Sequence, residues 1–232
     1  MRVIAGTSGY SYKEWKGTFY PEALPASKML PYYASHFGSV EINNTYYRMP
    51  NETLMKSWAS VVPEGFTFVL KAPLWIAHLR EQRAADAVQK FFDIASVLGS
   101  KLGPTLFRRN DVNGLREFLD IVPKERRICI EFRDDSGVND DVFAALREHD
   151  AALCVSDNDE VRDPGRILVS TASWGYLRLR RTDYSDRQLA AWARRVEKQA
   201  WSDAYVFFKH EDEGKGPVFA KRFLGYLGND SR

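Results

Sequence analysis

The chain has 232 residues, a formal net charge of +2, 44% hydrophobic and 28% charged residues. Such near-neutral charge argues against a broad nucleic-acid-coating surface, and no apolar run approaches the ~20 residues that span a bilayer. The length suits one compact domain, residues 1–232.

The chain opens on an apolar segment at 3–7 and passes straight into it, so no signal peptide is expected. A loop rich in rings and glycine follows. Ser27 is placed to cap a first helix carrying Leu30, Tyr33, Ala34 and Phe37, with Gly38 ending it. A second apolar segment at 40–43 leads to a helix capped by Asn51, and a third at 68–71 leads to the longest periodic stretch, Ala84, Val88, Phe91, Phe92, Ala95 and Leu98. The segment at 104–108 precedes a helix over Leu115, Phe118, Leu119 and Val122 that Pro123 stops; the segment at 128–133 precedes one opened by Asn139. After the segment at 152–157 no helix is legible, only a polar loop with Pro164-Gly165, so one reduced or irregular crossover is expected there. The segment at 175–180 is followed by Ser185 and Gln188 at capping-box spacing, and the last, at 205–210, by a helix with Pro217 in its first turn.

Strands alternating with helices predict a parallel sheet, and eight such units predict a compact α/β fold, a (β/α)8 TIM-like barrel. In that fold the active site lies at the C-terminal ends of the strands, where this chain puts its charges. Cys129 and Cys154 sit in apolar strands on faces that oppose each other if charged strand ends point inward. No disulfide is expected, and a reducing cytoplasm is the expected location.

A strand buried on both faces should be apolar, yet Glu41, Lys71, Glu131, Arg133 and Arg178 interrupt these segments. Such groups must pair or line a wet rim, so they are either an active-site floor or structural ion pairs. The bases Arg48, Lys71, Arg133, Arg178, Arg180 and Lys209 outnumber the acids Glu41, Glu131 and Asp157. If the acids are spent on internal pairs, the remaining positive charge suits a phosphate or carboxylate. Arg180 and Lys209 are the bases expected to turn outward. Glu41 with Glu131 could also form a glycosidase pair, and Lys71 or Lys209 a Schiff base.

Glu41, Glu131, Asp157, His78 and His210 are ligand types for a divalent ion but form no tight ligand motif. No metal or other cofactor is expected, with a divalent metal left as an alternative. Rings and bases interleave in the first loop, around Tyr12 and Trp15, and in the second, Asn43-Asn44-Thr45-Tyr46-Tyr47-Arg48. They could stack on a base or sugar or form an apolar lid. Gly214-Lys215-Gly216-Pro217 could set an anion at the last helix's N-terminus or be an ordinary turn.

Through Gly6-Thr7-Ser8-Gly9-Tyr10-Ser11-Tyr12-Lys13-Glu14-Trp15, Phe19-Tyr20-Pro21, Val40-Glu41-Ile42-Asn43, Thr45-Tyr46-Tyr47-Arg48, Lys71 with His78, Glu131-Phe132-Arg133 and Asp157, the chain resembles the YecE-like family (domain of unknown function 72). The resemblance implies a (β/α) barrel and no established activity; kinship with barrel enzymes such as endonuclease IV or xylose isomerase is analogy of fold alone. The chain departs from the family pattern at Asp134-Asp135-Ser136-Gly137, Arg180-Arg181, Lys209-His210 and Arg108-Arg109-Asn110. These changes mostly add positive charge or remove a ring.

The expectation is therefore an enzyme acting on a small anionic substrate, phosphorylated or nucleotide-like. Glu41 or Glu131 would be acid or base, with Lys71 assisting. Arg133, Arg178 and Lys71 would hold the substrate, Asn43 and Asp157 would orient it, and Tyr12, Trp15 and Tyr46 would cover it. Arg48, His78, Lys209 and His210 complete the candidate binding set. The alternative is a non-catalytic module that binds nucleic acid or a nucleotide through the aromatic and basic loops. No membrane partner is expected, and the sequence does not set the oligomeric state.

Overall fold

A computed structural model describes residues 1–79, 81–134, 137–160, 168–209 and 214–228, the side chains of His78 and Glu81 excepted. Its eight strands are β1 Arg2–Thr7, β2 Ser39–Ile42, β3 Thr67–Lys71, β4 Leu102–Arg109, β5 Ile128–Phe132, β6 Ala152–Asp157, β7 Gly175–Leu179 and β8 Asp203–Phe208. Each overlaps one of the eight apolar segments of the sequence. The helices are α1 Met29–Ala34, α2 Glu52–Ser60, α3 Glu81–Ala95, α4 Leu115–Ile121, α5 Asp140–Glu148, α6 Asp186–Glu197 and α7 Lys215–Gly225.

The sheet order is β1-β8-β7-β6-β5-β4-β3-β2, and a parallel bridge between Ser8 and Glu41 brings the two ends together. The fold is a nearly closed (β/α)8 TIM-like barrel. The chain divides into two compact units, Met1–Glu41 with Val155–Val169 and Ser173–Arg232, and Ile42–Cys154 with Ser170–Ala172.

In the first unit the register aligns Ile4 with Tyr205 and Tyr176, and Gly6 with Phe207 and Arg178. Residues so aligned share a sheet face. The opposite face, with Phe208 and Leu179, packs on helices: the Phe208 ring lies 5.8 Å from Phe223 of α7 and 5.9 Å from Tyr184. In the second unit Lys71 aligns with Leu106 and Cys129, and Arg108 with Glu131. Phe107 faces the other way, 5.0 Å from Phe118 of α4 and 6.2 Å from Phe91 of α3. Each unit thus has a helix-facing layer of large apolar side chains, and Arg178 in the first unit and Lys71, Arg108 and Glu131 in the second lie on the opposite face.

The helix signals hold with local exceptions. Asn51 caps α2, Asn139 caps α5, and Ser185 with Gln188 forms a complete capping box on α6. Ser27 caps nothing: it lies inside a 3-10 turn, Ala26–Lys28, that runs into α1, and α1 ends at Ala34, before Gly38. The long third periodicity is real but α3 stops at Ala95 and tightens into a 3-10 segment, Ser96–Lys101, broken by Gly99 at φ +54°. Between β6 and β7 the described residues hold no helix, and 161–167 lie outside them.

Candidate functional site

The first unit closes through its N-terminal strand. The Tyr33 hydroxyl, on α1, accepts from the Thr7 amide (2.8 Å) and donates to the Ser39 carbonyl (3.0 Å). The Gly9 amide then donates to the Glu41 carbonyl at 2.8 Å. These contacts fix β2 beside β1 and leave the fully buried Glu41 side chain on the face of Tyr176 and Arg178. Its Oε2 accepts from the Tyr176 hydroxyl at 2.6 Å and its Oε1 from Arg178 Nη2 at 3.0 Å. A buried carboxylate with a guanidinium and a phenol as partners is held in one orientation. Arg180, two residues beyond Arg178, donates to Ser156 of β6 and is half-buried. That corrects the expectation that Arg180 turns to solvent. Lys209 is exposed, as expected, and His210 lies outside the described residues.

Asp157 has a different role from the one its position suggests. Its Oδ1 accepts from Arg181 Nε at 2.8 Å, and its Oδ2 from the Tyr184 hydroxyl and Trp192 Nε1, both at 3.0 Å. With no exposure and three side-chain donors, this carboxylate fastens the end of β6 to α6 and the loop before it. Burial, with the Asp157 charge adding to it, pushes the Tyr184 hydroxyl well above the usual tyrosine range.

The ring-rich first loop folds on itself. Trp15 has no exposure; it stacks on Tyr20 at 6.0 Å and meets Phe19 edge-on at 5.8 Å and Tyr12 at 4.8 Å. Tyr12 is half-buried and its hydroxyl donates to the Ser8 carbonyl at 2.8 Å. Trp15 is therefore the centre of an apolar plug, and of the two candidate rings only Tyr12 reaches the surface. The Gly214 turn at the start of α7 packs against Thr18 of the same loop, where any Cβ would collide with the Thr18 side chain. That close approach explains this glycine without an anion.

In the second unit Glu131 stands between two bases, Lys71 Nζ at 4.0 Å and Arg108 Nε at 3.7 Å. Lys71 also lies over the Tyr46 ring, 4.2 Å from its centroid, and its carbonyl accepts from Thr45 Oγ1 at 2.7 Å. Asn43 and Tyr46 are half-buried, while Arg48 and Arg133 are exposed. Arg133 is past the end of β5 and outside the cluster, and Arg108 takes the place expected for it. Neither Arg108 nor Tyr176 was among the candidates. The signal for each was face alternation, Tyr176 two residues before Arg178 and Arg108 aligned with Glu131.

Arg109, one residue on, faces the helices: it bonds the carbonyls of Ala77 (3.1 Å) and Asn113 (2.5 Å) and lies over Phe118. A cleft of about 580 Å³ opens beside it between α3 and α4, and none of the candidate site residues lines it. His78 closes a 3-10 turn, Ile76–His78, its side chain outside the described set. No group of three or more His, Cys, Asp or Glu side chains among the described residues is arranged to hold a metal, and no helix among them is long and apolar enough to cross a membrane.

Comparison with known proteins agrees with this fold. The curated relatives include the UPF0759 protein YecE of Escherichia coli K12, 32% identical over 44% of this chain and 40% of its own length. The UPF0759 protein YunF of Bacillus subtilis is 30% identical over 41% of this chain and 33% of its own length. These matched segments span less than half of either relative. Among solved structures, a DUF72 family protein from Thermotoga maritima superposes with a TM-score of 0.80 at 24% identity, covering 97% of this chain and 98% of that one. A DUF72 family protein from Enterococcus faecalis gives 0.74 at 20% identity, with 97% and 96% coverage. The family model described as "Protein of unknown function DUF72" matches residues 4–232, and the chain belongs to that family.

Proposed function

We propose that this protein binds a small anionic ligand, phosphorylated or nucleotide-like, at the C-terminal ends of its strands and acts on it as an enzyme. The observation that carries the reading is the group of bases that stands beside buried acids at the strand ends among the described residues. Glu131 is met by two bases, Lys71 and Arg108. On the face of Glu41 stand Arg178 and Arg180, while Asp157, the other acid at a strand end, is occupied by Arg181, Tyr184 and Trp192. Guanidinium and ammonium groups gathered at strand ends favour an anion, and a guanidinium matches phosphate or carboxylate with two hydrogen bonds. In this reading Glu41 or Glu131 transfers the proton and the adjacent bases stabilise negative charge as it develops. The reading places the protein in the cytoplasm, which suits two free thiols, Cys129 and Cys154.

The burial of Trp15, Phe19 and Tyr20 favours an enclosed small ligand over a nucleic-acid strand, because rings already packed together are not available to stack on bases. A thermal-shift series against phosphorylated metabolites, nucleotides and divalent cations tests the reading. A ligand at a hundredfold excess over its Kd adds about 2.7 kcal/mol of stability. Stabilisation by phosphorylated compounds, reduced in Arg108→Gln or Arg180→Gln, is expected. A flat response to every anion overturns the reading.

A further inference from the structure

The sequence holds 6 Trp, 11 Tyr and 14 Phe, and among the described residues just two of these rings stay exposed, Tyr47 at 82% and Trp75 at 44%. Both lie in the second unit, in the loops that follow β2 and β3. The loops are tied together: the Leu74 amide donates to the Tyr46 carbonyl at 3.0 Å, and Thr45 Oγ1 to the Lys71 carbonyl at 2.7 Å. Leu74, 37% exposed, adds apolar surface, and Arg48 beside Tyr47 is exposed as well. A continuous path of contacts runs from the charged cluster to the open ring of Tyr47. Glu131 is 4.0 Å from Lys71, Lys71 is 4.2 Å from the Tyr46 centroid, and Tyr46 meets Tyr47 edge-on at 5.3 Å. Arg108 borders the same cluster with a third of its side chain, 34%, open to solvent.

We propose that this loop pair selects a mononucleotide: Tyr47 and Trp75 take the base, and Arg108 with Arg48 takes the phosphate. The inference rests on the anion reading above and adds the ring. Every other Phe, Tyr or Trp ring among the described residues is at least half withdrawn into packing, whereas these two stay open in a pair of loops that are hydrogen-bonded to each other. A flat base stacks on a ring whatever its hydrogen-bonding edge, and a neighbouring guanidinium adds cation–π attraction and phosphate binding. Leu74 widens the apolar floor beneath the base. A sugar phosphate without a base would use the cations and leave both rings exposed.

Isothermal titration with AMP, ribose 5-phosphate and inorganic phosphate tests this. AMP is expected to bind roughly tenfold tighter than ribose 5-phosphate, the scale of one stacked base. Tyr47→Ala and Trp75→Ala are expected to bring AMP down to the ribose 5-phosphate level and leave phosphate binding unchanged. Both positions are at the surface, and circular dichroism checks that the variants fold. AMP binding no tighter than ribose 5-phosphate, or a preference for AMP that survives both substitutions, overturns the inference and leaves the anion reading standing. Failure of all three ligands to bind overturns the anion reading and the inference with it. Tighter binding of a single-stranded oligonucleotide than of AMP, lost steeply with salt, would replace the mononucleotide with a polymer and also overturn it.

Discussion

Arg178 Nη2 stands 3.0 Å from Glu41 Oε1, with both side chains at 3% exposure or less. Removing one partner of a buried pair strands the other charge, which costs about 3–5 kcal/mol. Arg178→Met should therefore lower the denaturation midpoint strongly, by about 10 °C for a chain of this size. Adding Glu41→Gln to Arg178→Met should recover much of the loss, because the stranded charge is gone. No recovery in the double variant would mean that packing, and not charge pairing, governs this site.

Asp157 predicts the opposite separation of stability from binding. Asp157→Asn keeps an acceptor for Tyr184 or Trp192 but loses the ion pair with Arg181 and turns an amide N–H toward a donor. A hydrogen bond to a charged group contributes about 1.5–3 kcal/mol, and a loss of that size in urea unfolding is expected. Phosphate binding measured on the folded variant should match the parent, since this carboxylate holds β6 to α6 and does not face the ligand. A selective loss of binding with unchanged stability would contradict that assignment.

High pH should unfold this protein through its tyrosines. Burial raises the hydroxyls of Tyr20, Tyr33 and Tyr184 above the usual value of 10.0. For a group whose folded pKa lies above its unfolded one, the stabilisation is complete below the unfolded pKa and is lost as pH climbs toward the folded value. Urea midpoints should hold steady to about pH 10 and fall beyond it. The phenolate absorbance of these three residues should appear together with unfolding. Titration of all eleven tyrosines near pH 10 in a protein that is still folded would refute it.

The strands were legible because most of the apolar runs end at a charged or polar residue, and a run buried on both faces has little other reason to stop there. The capping box at Ser185 was legible for a local reason too, its partners being three residues apart. The fate of Asp157 was not, because its partners Tyr184 and Trp192 come 27 and 35 residues later, and only the fold brings them to it. Arg108 and Arg109 are neighbours of one residue type. What separates them is the face on which Phe107 packs, and adjacency in sequence hides it. The first-loop rings could have covered a ligand or one another; Trp15 at zero exposure shows the second outcome. Ser27 had the chemistry of a cap, but the chain enters α1 through a 3-10 turn and puts it one residue too early.

Gly9 sits at φ +96°, in the left-handed region, and a Cβ there would come within 2.7 Å of the Tyr12 ring. Its amide also makes the 2.8 Å bond to the Glu41 carbonyl that closes the β1–β2 seam. Gly9→Ala should cost about 1–2 kcal/mol from backbone conformation alone, plus whatever is needed to displace Tyr12. Gly9→Ala in a Tyr12→Ala background removes the collision and leaves the backbone cost. Chemical denaturation of the single and double variants separates the two contributions. If Gly9→Ala proves neutral in both backgrounds, the seam tolerates a side chain, and the amide bond to Glu41 does not depend on a glycine at this corner.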